Sequence, residues 1–165
     1  MAGTEAIPLP SQLWKSMTES QRLQAAEAFW REPDIAELQV EAATLLAQRL
    51  KARPRFIAGL PIEKKARHLV RMPAMPDVLA ARLLVSYHLG FQRPMMSAFL
   101  DRLGIPHDNG LISDDLTEPI PPERLDEAAE ALKASFPAEH VRLYFATLLA
   151  QDPEVWDGLR KQLQD

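Results

Sequence analysis

Residues 76–90 read PDVLAARLLVSYHLG, and the fold turns on how they are read. Wound at 3.6 residues per turn, this stretch carries apolar side chains on nearly every side: Val78, Leu79, Leu83, Leu84, Val85, Tyr87 and Leu89. A helix that is apolar all round is an interior helix. Pro76 and Asp77 suit its first turn and Gly90 suits its C-cap, so the spacing predicts a central helix over about 77–89. The run VLAARLLV at 78–85 is interrupted by Arg82 and falls far short of the roughly 20 residues of a bilayer span, so no membrane partner is expected.

Working outward, the same helical chemistry recurs. Thr18-Glu19-Ser20-Gln21 fits a capping box that opens a helix, and Pro33 follows its end. Ile35, Leu38, Ala42, Leu45, Leu46 and Leu50 repeat at helical spacing and predict a helix over about 34–52. A short piece is expected at 55–58 and a further helix at 62–71. On the other side, Pro94 opens a helix that Gly104 stops; 122–134 and 137–150 form two more, and Pro153 starts the last. The 165 residues hold 23 Ala and 24 Leu against 18 Val, Ile and Thr together, and Ala and Leu lose little on entering a helix where β-branched residues lose rotamer freedom. The expected fold is all-α: a single compact multi-helical domain of seven or eight short helices around helix 77–89. Residues 1–17, with Pro8 and Pro10 and no helical period, are expected as an extended N-terminal arm. Residues 18–165 form the domain, divisible into a body 18–104 and a C-terminal helical cap 122–165 joined by the loop 105–121.

Composition narrows the chemistry. There is no cysteine, which removes thiol nucleophiles, thiolate zinc sites, iron–sulfur clusters and disulfide scaffolds. It also agrees with the cytoplasmic address expected from a start that lacks the pattern of a signal peptide. The net charge is −4, so bulk charge does not favour nucleic acid. Charge is nevertheless uneven. Residues 49–71 hold eight bases (Arg49, Lys51, Arg53, Arg55, Lys64, Lys65, Arg67, Arg71) against Glu63, a local +7. Residues 101–130 hold nine acids against Arg102 and Arg124, a local −7. These patches either lie side by side within one chain or are plain solvated faces, or dock an acidic partner or another copy, or, on the basic side, hold phosphate or nucleic acid.

Lys64, Arg67 and Arg71 share one helix face, and Arg53 and Arg55 flank Pro54 in a connector. The basic segment interleaves no aromatic residue except Phe56, so it offers no stacking platform for single strands. The pair 77–89 and 94–103 has the length of a helix-turn-helix, but the second helix presents few polar residues to a groove. His68, His88, His107 and His140 show no metal-ligand spacing, and no nucleophile motif surrounds a serine. Ile105-Pro106-His107-Asp108-Asn109-Gly110 carries a strong turn signal at Asn109-Gly110, which makes His107 and Asp108 candidates for the rim of a cleft. His88, in the last turn of the central helix, is expected to bond a carbonyl or to favour the negative end of the helix dipole. Met72, Met75, Met95 and Met96 could line an apolar groove.

The reading is a non-catalytic helical protein-interaction or regulatory module, with another protein or a second copy as partner, a homodimer included, and no cofactor or metal. Its partner-binding candidates are Arg53, Arg55, Lys64, Arg67, Arg71, Arg93, His107 and Asp108. The alternatives are an enzyme or small-molecule-binding protein whose interhelical pocket meets an anionic ligand through His107, Arg93 or Arg71, and weak nucleic-acid binding through 49–71.

Overall fold

The structure, a computed structural model, describes residues 7–163. Nine α-helices follow in chain order: α1 Pro10–Ser16, α2 Glu19–Arg31, α3 Ala36–Leu50, α4 Pro54–Ala58, α5 Ile62–Val70, α6 Asp77–Phe91, α7 Arg93–Leu103, α8 Pro122–Ser135 and α9 Ala138–Gln151. A 3₁₀ segment, Asp157–Leu163, closes the described chain. Among the described residues, the remaining regular structure is a two-stranded hairpin, β1 His107–Asp108 and β2 Leu111–Ile112. The all-α expectation holds.

Helix α6 is the interior rod. Leu79, Ala80, Leu83, Leu84, Ser86, Tyr87 and His88 are buried along it, and α1, α2, α7 and α9 pack around it. Its N-terminal Val78 and C-terminal Phe91 are exposed, so the rod is wrapped from its third residue, Leu79, and emerges at its last turn. Arg82 is tolerated on this helix because its guanidinium pairs with Glu32, just past the end of α2, and the Ser86 hydroxyl donates to the same carboxylate. Helix α6 runs two residues beyond the expected stop. Gly90 lies within it, where a Cβ would meet the Ala28 Cβ of α2 at 3.2 Å. Its glycine character serves close helix packing and not a C-cap.

The Thr18 capping box is formed: the Gln21 amide donates to Thr18 Oγ1 at 3.0 Å and the Thr18 amide donates to Gln21 Oε1 at 3.0 Å. The expected extended arm is corrected over residues 10–16, which form α1; residues 1–6 lie outside the described residues. Pro10 sits at the helix start, where a missing N–H costs nothing. The Leu9 amide donates to Gln12 Oε1 at 2.8 Å. Seven residues cannot hold a helix alone, but Leu13, Trp14 and Met17 are buried, each contributing roughly 1.5–3 kcal/mol. The Ser11 amide also donates to Asp77 Oδ1 at 3.0 Å, which joins the starts of α1 and α6.

The core is divided between α6 and α7, not at the 105–121 loop. Leu13, Trp14, Phe29, Leu46, Ile57, Leu69, Leu79 and Leu83 belong to one cluster. Met95, Phe99, Leu125, Tyr144, Phe145 and Trp156 belong to the other. Helix α7 therefore packs with the C-terminal helices, and α9 bridges the halves through Ala146 on the first cluster and Phe145 on the second. The methionines separate with it: Met75 is buried in the first cluster, Met95 and Met96 in the second, so they line no common groove. The final segment is 3₁₀ and begins at Asp157, not an α-helix from Pro153. The Ile120 amide donates to the Val155 carbonyl at 3.2 Å, and a Cβ on Gly158 would lie 2.7 Å from Leu125 Cδ1. That contact with α8 shapes the chain more strongly than the helix-start signal.

Candidate functional site

The basic segment folds as two corners around one tryptophan. Helix α3 ends at Lys51 in the left-handed conformation, φ 55°, which turns the chain outward. Arg53 then caps α4, with Pro54 at its first position. Helix α5 buries Ala66 and Leu69 and presents its opposite face to water. Gln39 secures the α2–α3 corner: its Nε2 donates to the Phe29 carbonyl at 2.8 Å, which also accepts from the Glu32 amide at 3.4 Å, and to the Glu32 carbonyl at 2.9 Å.

Between these elements lies a groove of about 480 Å³. Trp30 of α2 is its floor. Ala36, Val40 and Ala43 of α3 and Pro54 and Ala58 of α4 are its apolar walls, and Arg55 and Lys65 stand over it. The Lys65 Nζ lies 4.7 Å from the Trp30 ring centroid and donates to the Ala58 carbonyl at 3.2 Å. Partial burial draws its pKa below the usual lysine value. Val40 is 64 % exposed, an apolar side chain with no partner on the solvent side of α3.

The cations around the groove have no carboxylate partner. Among the described residues, none of the eight bases of 49–71 forms an ion pair, with 101–130 or with anything else. The internal pairing of the two patches is therefore excluded. They lie on different halves of the core, the basic one beside the first cluster and the acidic one beside the second.

The eight candidate residues fall into three places. Arg55 lines the groove, and Arg53 is exposed two residues before it. Lys64, Arg67 and Arg71 form an exposed row on the outer face of α5. Arg93, His107 and Asp108 sit in the other half and hold the hairpin together. Arg93 Nη1 donates to the Asn109 carbonyl at 2.8 Å and to the Asp108 carbonyl at 3.5 Å. His107 Nδ1 accepts from the Gly110 amide at 3.0 Å, which leaves its Nε2–H to donate to Asp101 Oδ1 at 2.6 Å. Asn109 (φ 49°) and Gly110 (φ 98°) form the tight two-residue turn that demands left-handed residues. His107, Arg93 and Arg71, the alternatives for meeting an anionic ligand, therefore share no one pocket: Arg93 and His107 bond within the turn and Arg71 lies on the other half. Helix α7, the second helix of the α6–α7 pair, buries Met95, Met96, Phe99, Leu100 and Leu103.

Sequence reasoning missed Trp30, Val40 and Lys65 as site residues. Val40 was the available signal, since it interrupts the polar face of α3 out of phase with Leu38, Ala42 and Leu45. A second cavity of about 480 Å³ lies between α1, α9 and the final segment. Its cations are engaged: Arg142 donates to the Leu163 carbonyl, and Arg160 pairs with Asp157 at 2.8 Å. Among the described residues no three His, Asp or Glu side chains gather where they could hold a metal ion, and no helix is long and apolar enough to cross a membrane. Comparison with protein-family models, curated proteins and solved structures finds no match, so the functional reading rests on this geometry.

Proposed function

We propose that the chain is a non-catalytic helical interaction module that docks an acidic amphipathic segment of a partner protein in the α2–α5 groove. The observation that supports it is an apolar trough, floored by Trp30, whose bordering cations have no counter-charge within the chain. An amphipathic helix lays apolar side chains into such a trough. Its carboxylates meet Arg55, Lys65 and Arg53, which steer the encounter and select against basic segments. Two of the four histidines support the non-catalytic reading: His88 is buried and His107 is tied into the hairpin.

The test is NMR titration, reading the Trp30 indole N–H, with a designed amphipathic helix of Leu and Glu about 15 residues long. Saturable shifts at Trp30, Val40 and Lys65 are expected, with affinity reduced at least about tenfold by Lys65→Glu combined with Arg55→Glu. The same peptide with Lys in place of Glu should not bind. Equal binding of the two peptides, or shifts that spare the groove, would refute the proposal.

A further inference from the structure

The outer row of α5 is not part of the groove, and the other half of the molecule carries its counterpart. At 3.6 residues per turn, Lys64, Arg67 and Arg71 centre on the side of α5 opposite the buried Ala66 and Leu69. Arg71, the C-cap, keeps right-handed helical backbone angles (φ −83°, ψ −2°), so the row continues through it. On α8, Glu123, Glu127 and Glu130 centre on the side opposite the buried Leu125, Ala128, Ala129 and Leu132. All six side chains are exposed, and none forms an ion pair among the described residues. The nearby acid Asp126 is already held by Lys161 at 2.6 Å, which leaves the three glutamates as the open stripe of that helix. Glu63 borders the cationic row without pairing with Arg67.

The two rows match in spacing. Read from Lys64, the cations fall at steps of three and then four residues. Read backwards from Glu130, the carboxylates fall at the same steps. Two straight helices laid antiparallel therefore oppose Lys64 to Glu130, Arg67 to Glu127 and Arg71 to Glu123. We infer that α5 of one chain pairs antiparallel with α8 of a second copy through these three contacts. The inference rests on the reading of the chain as an interaction module and names a second copy as the partner of the α5 row, separate from the groove. The interface holds no large apolar side chain at its centre, so the association is salt-sensitive.

Sedimentation equilibrium at low and high salt, combined with charge reversal, tests it. The wild-type chain should self-associate at low salt and weaken at least about tenfold when salt rises to about 0.5 M. Reversing the α5 row (Lys64→Glu, Arg67→Glu, Arg71→Glu) or the α8 row (Glu123→Lys, Glu127→Lys, Glu130→Lys) should leave each chain monomeric with an unchanged helical circular dichroism spectrum. Mixing the two reversed chains, or placing both reversals in one chain, should restore association. A wild-type monomer at low salt, or reversed chains that associate as well as the wild type, overturns the inference. Because Lys65 and Arg55 are untouched, a wild-type chain that stays monomeric at low salt yet binds the Leu/Glu peptide would sink the pairing while leaving the groove reading standing.

Discussion

His88 should make this protein lose stability in acid over a defined window. The side chain lies on the central helix with 1 % exposure. Its Nδ1 is 2.8 Å from the Leu84 carbonyl, so in the neutral ring Nδ1–H donates and Nε2 carries the lone pair, for which no partner is present. The rings of Tyr87 and Tyr144 lie 5.3 and 5.5 Å away. Burial disfavours the imidazolium and lowers the pKa from 6.5 to about 4; the Leu84 bond opposes this and the charge of His140 adds to it slightly. Burial raises the Tyr144 hydroxyl, which stays neutral throughout. The unfolded chain takes up this proton near pH 6.5 and the folded chain only near pH 4. The contribution is therefore complete above pH 6.5, drains away as the pH falls towards 4, and changes no further below it. At about 1.4 kcal/mol per unit, the loss is about 3 kcal/mol.

His88→Phe keeps a ring between the tyrosines and removes the titration. Urea unfolding followed by circular dichroism should show the wild type losing about 3 kcal/mol more than the variant between pH 7 and pH 4. Equal losses would mean that His88 is hydrated or already charged in the fold, and the buried-histidine reasoning would fail.

Two substitutions test the local structure. Thr18→Ala removes the oxygen that accepts from the Gln21 amide and should lower unfolding stability by about 1 kcal/mol; no change would show that α2 is held by packing alone. Gly110→Ala forces a side chain into φ 98° and brings its Cβ to 2.9 Å from the Met96 Cβ. It should cost about 1–3 kcal/mol and shift the His107 ring resonances, whereas a neutral result would mean that the hairpin repacks freely.

Helix existence was legible because its determinants lie within a few residues of each other. The Thr18–Gln21 box, the stripe from Leu38 to Leu46 and the prolines at 54, 94 and 122 all act over one turn. Where a distant contact competed, the local signal misled. Gly90 looked like a stop and is a contact with Ala28. Pro8 and Pro10 looked like an extended arm, yet burial of Trp14 draws residues 10–16 into a helix. Pro153 looked like a start, yet the packing of Gly158 on Leu125 defers regular structure to Asp157. The candidate site was half legible: the charge of 49–71 was plain, but the floor beneath it comes from Trp30 in an earlier helix.

By itself, then, the sequence determined the all-α class, the interior helix at 77–89 and the uneven charge, since each follows from side-chain type and spacing along one helix. Only the tertiary structure decided that the core divides after α6, that Arg93 and His107 serve a turn, and that the positive and negative segments stand apart on separate halves. Those outcomes depend on which helix faces meet. Packing across the chain sets that, because a side chain's charge or shape does not name the distant surface it will touch.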